Sequence, residues 1–259
     1  MGASDTMTAV QASAAEEHAW NERALTQPVE RPAWRVWRYA RPAIVLGCSQ
    51  RRLFETLVAR QAAPDAGLLL RRSGGGAVLV GPWMIGVSVV LPPEHVLVRE
   101  GPVPSYRWLG AGLARVLQRF GVAARALSPA ELGRPAQAGR QADATQPARH
   151  ADATQPVPDV DLRWACFAGL SPWEAVAGGR KITGLAQVRR RTGVLLVAGV
   201  LVERPDWALL CAALGRPAAD AAALARVTTC CADEGAAGLG ADVLAQAVDA
   251  EIARLFEPA

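Results

Sequence analysis

Two apolar stretches near the middle of the chain, Lys181 to Val188 and Val194 to Glu203, are separated by the turn pair Thr192-Gly193. The longest apolar run, Val194 to Val202, is nine residues, far short of a membrane span but long for a strand. Two such stretches joined through glycine make an antiparallel hairpin. Upstream, Glu174 to Ala177 meets Lys181 through Gly178-Gly179 and predicts a second hairpin feeding the first. A chain that commits these residues to strands must build a sheet and cover it.

The rest of the pattern supplies both. Trp34 to Tyr39, Ala43 to Gly47, Leu68 to Arg72, Ala77 to Val80 and Met84 to Leu91 read as strands, with turns at Arg41-Pro42 and Gly81-Pro82. Ala14 to Leu25, Arg52 to Ala63 and Ser105 to Phe120 have helical spacing. Beyond Asp206 helices dominate, ending in a stripe of Leu244, Val248, Ile252 and Leu255. Strands mixed with helices predict an α+β fold. From Gly133 to Asp159 the pattern collapses into small and polar residues, with the direct repeat Ala142–Pro147 and Ala151–Pro156. That composition predicts a disordered insertion at 133–159 inside one domain, because ordered patterns resume at Leu162 to Gly169.

Charge and cysteine usage exclude several classes. The net charge of +4 is spread over scattered arginines, too mild and dispersed for a nucleic-acid binder. It suits an acidic protein partner or an anionic acyl carrier. Met1 to Trp20 lacks a basic segment followed by an apolar one, so no signal peptide is expected. Cys48, Cys166, Cys211, Cys230 and Cys231 form no Cys-x-x-Cys pair and no metal spacing, which predicts reduced thiols, a cytoplasmic setting and no bound metal.

One residue stands apart. Of 28 basic residues, 27 are arginine and only Lys181 is lysine. A lysine that survives so complete a replacement points to a need for a compact ammonium with three donors. It lies in Gly179-Arg180-Lys181-Ile182-Thr183-Gly184-Leu185-Ala186-Gln187. Fifteen residues earlier stands Cys166, in Cys-Phe-Ala-Gly-Leu-Ser-Pro-Trp-Glu, where the thiol is either a nucleophile near a strand end or a small buried hydrophobe. A third segment, Arg71-Arg72-Ser73-Gly74-Gly75-Gly76-Ala77-Val78, places three glycines where backbone N–H groups can approach a ligand.

In this order and spacing the three segments, with Ile44 to Gln50 before them, resemble the lipoate–protein ligase and octanoyltransferase superfamily, which is related to the biotin protein ligases. The resemblance covers residues 14–204, with 205–259 as a helical extension. It implies the biotin/lipoate protein ligase-like fold, a largely antiparallel mixed sheet of the class II aminoacyl-tRNA synthetase type with flanking helices. The position of Cys166 before the lysine looks like the cysteine-dependent octanoyltransferases and lipoyl amidotransferases. That branch implies an octanoyl or lipoyl group carried through a Cys166 thioester onto a lysine of a lipoyl domain.

The partners so implied are oxoacid dehydrogenase E2 or the glycine-cleavage H protein, with acyl carrier protein as a possible donor. Cys166 and Lys181 would be catalytic, the lysine activating the thiol and bonding the acyl carbonyl. Arg72, Ser73, Gly74, Gly75, Gly76, Ala77, Gly184 and Gln187 would bind substrate, and no cofactor is required. Val78, Val87 and Val89 would line an alkyl tunnel.

The chain departs from its relatives at Val80-Gly81 and Val197-Ala198, where many members carry histidines. None of its own histidines looks well placed, His95 being the only candidate partner for the thiol. An ATP-dependent lipoate ligase (with ATP and Mg) and a non-catalytic paralogue that binds a lipoyl domain or acyl carrier remain as alternatives.

Overall fold

The computed structural model describes residues 10–63, 66–132 and 161–256, so the expected insertion at 133–159 lies outside the described residues. The antiparallel hairpin expected between Lys181 and Glu203 is present. A strand β10 (Thr183–Arg190) pairs antiparallel with β11 (Gly193–Leu201), Thr183 facing Val200 and Arg190 facing Gly193. The other edge of β11 is taken by β6 (Met84–Leu91), and β6 pairs antiparallel with β2 (Ala33–Tyr39). A short β1 (Val10–Ala12), which the sequence pattern does not announce, adds parallel to β2 and completes a five-stranded sheet.

Two smaller sheets flank it. In one, β3 (Ala43–Leu46) lies between β4 (Gly67–Leu70), parallel to it, and β5 (Val78–Val80), antiparallel. In the other, β8 (Ala175–Ala177) lies between β7 (Arg125–Ala126) and β9 (Arg180–Lys181). The stretch read as one strand from Lys181 is therefore divided. Arg180 and Lys181 belong to the small sheet, and Thr183 onward to the large one. Ile182, fully buried, joins them: its N–H donates to Ala175 O at 3.0 Å and its carbonyl accepts from Leu201 N at 3.0 Å. The order expected at Leu162 to Gly169 takes the form of turns, with one parallel bridge, Ala165 to Ala77.

All eight residues of β6 are buried, because the strand is covered on both faces. Helix α1 (Ala14–Ala24) begins with a capping box, Ser13 Oγ accepting from Glu16 N at 3.2 Å while the Glu16 carboxylate accepts from Ser13 N at 2.6 Å. It is followed by α2 (Arg51–Ala59), α3 (Pro102–Arg119) and the single turn α4 (Pro129–Leu132). The C-terminal helices α5 (Trp207–Ala213), α6 (Ala218–Val227) and α7 (Ala241–Phe256) do not stand apart. Leu210, Leu224, Leu244, Val248 and Ile252 join the same core as Val87 and Val89 of β6. Among the described residues no helix is long and apolar enough to cross a membrane.

Candidate functional site

The glycine segment leaves β4 and doubles back under its own arginine. Arg71 Nη2 donates to Gly74 O at 2.9 Å and Gly76 O at 3.0 Å, which closes the loop. At Gly75 φ is +99°, a conformation that favours glycine. A Cβ on Gly76 would lie 2.4 Å from Trp164 O, so glycine is required for the turn at 164–166 to rest on the loop. Two backbone bonds then join the pieces: Ala77 N donates to Trp164 O at 2.7 Å, and Cys166 N donates to Ala77 O at 2.8 Å. Gln50 ties in the end of β3, its Nε2 donating to Trp164 O at 3.1 Å and its Oε1 accepting from Gly47 N at 3.1 Å. Segments far apart in sequence so form one unit that carries Cys166.

Lys181 lies beneath that unit, its side chain 2% exposed. Its Nζ donates to Cys166 O at 2.9 Å and Gly169 O at 2.7 Å, and pairs with Glu174 Oε2 at 2.7 Å. The ammonium also sits 5.3 Å from the centre of the Phe167 ring. An ammonium has three protons, and three acceptors surround this one. The Glu174 side chain, equally buried, also accepts from Ser171 N at 2.7 Å and Leu185 N at 3.0 Å. A charge pair so enclosed needs this many hydrogen bonds to offset its desolvation.

A cavity opens beside the cysteine. Cys166 and Phe167 form part of its wall, and Val78, Met84, Leu185 and Val197 make another part apolar. Lys181 is not among its lining residues. Polar lining residues come from α1 and the glycine segment. There Tyr39 Oη donates to Glu17 Oε2 at 2.7 Å, and burial raises the Glu17 carboxyl against the lowering effect of that bond. Burial, then the Glu17 charge, pushes the Tyr39 phenol well above its ordinary value. Burial and then Arg71 lower His18, which favours the neutral imidazole.

The residues singled out in the sequence are distributed unevenly. Cys166, Ser73 and Gly184 line the cavity, and so does Arg72, whose side chain is 65% exposed and pairs with Glu22 at 2.6 Å. Gly74 and Gly75 are exposed, while Gly76 and Ala77 serve the backbone junction with Trp164 and Cys166. Gln187 lies outside the cavity, its Nε2 donating to Pro102 O at 2.7 Å. Val78 reaches the cavity, whereas Val87 and Val89 are interior core. Arg189, exposed, bonds Val98 O at 2.7 Å and Ser105 Oγ at 3.1 Å.

His95 packs against Phe256, with ring centres 5.8 Å apart, and is not a partner for the thiol. His18 shares the cavity with Cys166, contrary to the expectation drawn from its place in the first helix. Sequence reasoning also passed over Glu174, although it ends the Cys166 segment, and Arg71, the neighbour of the arginine chosen. Tyr106 on α3 is a further omission: burial raises its phenol, which lies within electrostatic reach of Cys166, Glu174 and Arg71. The remaining cysteines offer little reactivity where buried, the Cys231 thiol being pushed up to about 12 by desolvation. Among the described residues no cluster of three His, Cys, Asp or Glu side chains could hold a metal.

Known proteins resemble this chain. Residues 9–231 match the lipoyl protein ligase A/B catalytic domain. The chain is 31% identical over 172 residues to octanoyltransferase LipM of Moorella thermoacetica, covering 66% of this chain and 53% of that protein. It is 31% identical over 179 residues to octanoyltransferase LipM of Symbiobacterium thermophilum, covering 69% and 56%. The chain thus spans about half the length of the curated relatives it matches.

Among solved structures, lipoate-protein ligase A bound with ATP superposes with a TM-score of 0.59 at 19% identity, covering 95% of this chain and 83% of that one. A bi-partite lipoate protein ligase from Thermoplasma acidophilum, solved in a study of the ligase and its E2 lipoyl domain, gives 0.58 at 15% identity, covering 95% and 81%. These likenesses establish the fold, and the match across most of the sequence establishes the kinship: the chain belongs to the lipoyl protein ligase A/B catalytic domain family.

Proposed function

We propose that this chain is an octanoyltransferase that carries a medium-chain acyl group on Cys166 and delivers it to a lysine of a lipoyl domain. The observation that carries this reading is the Cys166 thiol at the wall of a largely apolar cavity, on a turn fixed from two sides. The relatives named octanoyltransferase support it. In the first step Cys166 sulfur attacks the acyl carbonyl of a carrier thioester. A new S–C bond forms, the carrier S–C bond breaks, and the departing thiol takes the proton that Cys166 gave up. In the second, the neutral amine of the target lysine attacks the Cys166 thioester. An amide forms, the S–C bond breaks, and the proton shed by the amine returns to Cys166.

Neither step consumes ATP. The acceptor would be the lipoyl domain of an oxoacid dehydrogenase E2 or the glycine-cleavage H protein, and the donor an acyl carrier protein or an acylated H protein. Reduced thiols suit a cytoplasmic setting for this chemistry.

Intact mass after incubation with octanoyl-carrier protein, without ATP, tests this. One octanoyl adduct on the wild type and none on Cys166→Ala is the expected result. An adduct that persists in Cys166→Ala would remove the covalent mechanism, and ATP-dependent acylation from free octanoate would favour the ligase reading.

A further inference from the structure

The turn that holds Cys166 has its peptide planes set by Lys181. Ala168 N donates to Ala165 O at 3.2 Å, so Cys166 and Phe167 occupy the two central positions of a tight turn. The N–H of the third turn residue, here Phe167, takes no part in closing such a turn. Lys181 Nζ draws the Cys166 carbonyl toward itself at 2.9 Å. The described peptide bonds are trans, and in a planar trans peptide the carbonyl and the following N–H point in opposite directions. The Phe167 N–H therefore points away from the lysine. It finds no acceptor among the described residues. Cys166 and Phe167 line the cavity, whereas Lys181 does not.

A thioester attacked by Cys166 develops negative charge on its carbonyl oxygen, and a fixed donor beside the sulfur stabilises it. Lys181 cannot supply that donor in this arrangement, since its protons face Cys166 O, Gly169 O and Glu174. Resting on the transferase reading above, we propose that the backbone N–H of Phe167 is an oxyanion donor of this site. Lys181 and Glu174 are its positioning residues. The lysine orients the peptide, and the carboxylate, anchored to Ser171 N and Leu185 N, fixes the lysine. The lone lysine thus acts through the main chain of the nucleophile.

The test replaces the Phe167 amide with an ester, by incorporating the α-hydroxy analogue of phenylalanine at this position, which removes one N–H and keeps the side chain. Two rates are measured on the full chain: acylation of Cys166 by octanoyl-carrier protein, and alkylation of the same thiol by iodoacetamide, which develops no oxyanion. Acylation is expected to fall about 100-fold, the scale of losing one such donor, with alkylation within about twofold of wild type. Acylation within about threefold of wild type would overturn the proposal, and so would an equal loss in both rates. Glu174→Gln is expected to show the same split, with Glu174→Asp recovering part of the acylation rate. A wild-type protein that accepts no acyl group would instead sink the transferase reading, and this assignment with it.

Discussion

Lys181 and Glu174 hold opposite charges where water does not reach, and each is stable there only because of the other. Lys181→Met would leave a buried carboxylate with two backbone donors and no counter-charge. We expect it to lose about 3–5 kcal/mol of stability, read as a lower urea midpoint at unchanged slope. An unchanged midpoint would mean that the pair is unimportant to the fold. Glu17 offers a second test. Its carboxyl is raised from 4.5 by burial, so the folded state favours the protonated form.

The associated stability is present below 4.5 and is lost as pH rises through the folded value. Glu17→Gln should therefore gain stability over wild type as pH is raised from 4.5 toward neutrality, and parallel curves for the two proteins would refute this. Of these residues only the lysine was legible in the sequence, because composition isolates it. Glu174 is one of 24 acidic residues and Glu17 one position in an ordinary helix, and no pattern states that either is buried.

At the level of elements, local pattern was informative and long-range pairing was not. The strands from Met84 and Gly193 and the helix containing Leu109 and Leu113 follow from period and turn chemistry alone. The division of the Lys181 strand at Ile182 leaves no mark in hydropathy, since a buried residue at a corner looks like one within a strand. The cysteine turn shows the same limit: the order expected at Leu162 to Gly169 comes from a turn resting on the glycine loop, a long-range contact that local pattern does not state. That contact predicts the effect of Gly76→Ala. Its methyl would meet Trp164 O at 2.4 Å and force the turn away from Ala77. A loss of about 1–3 kcal/mol is expected in thermal or urea unfolding, with slower acylation of Cys166. Wild-type acylation in a folded Gly76→Ala protein would show that the turn need not touch the loop.

Across the whole molecule, the helices after residue 205 complete the core. Leu244, Val248 and Ile252 of α7 are each at most 2% exposed. Burying three such side chains contributes roughly 1.5–3 kcal/mol apiece, comparable in sum to the entire stability of a typical domain. Ending the chain after Gly240 should abolish cooperative unfolding and bring the protein into the insoluble fraction, whereas a soluble truncate with a sharp transition would show that the sheet is covered without α7.

The bonds that seat Cys166 on Ala77 have a consequence for how such a protein can change over time. They run between main-chain atoms, so they depend on the path of the polypeptide and hardly at all on which side chains surround it. A lineage can exchange nearly every lysine for arginine, or substitute the walls of the cavity, without unseating Cys166 from Ala77. What it cannot accept is a proline at 77, or bulk at 76. The place of this cysteine is in that sense inherited as topology, leaving the cavity lining free to diverge.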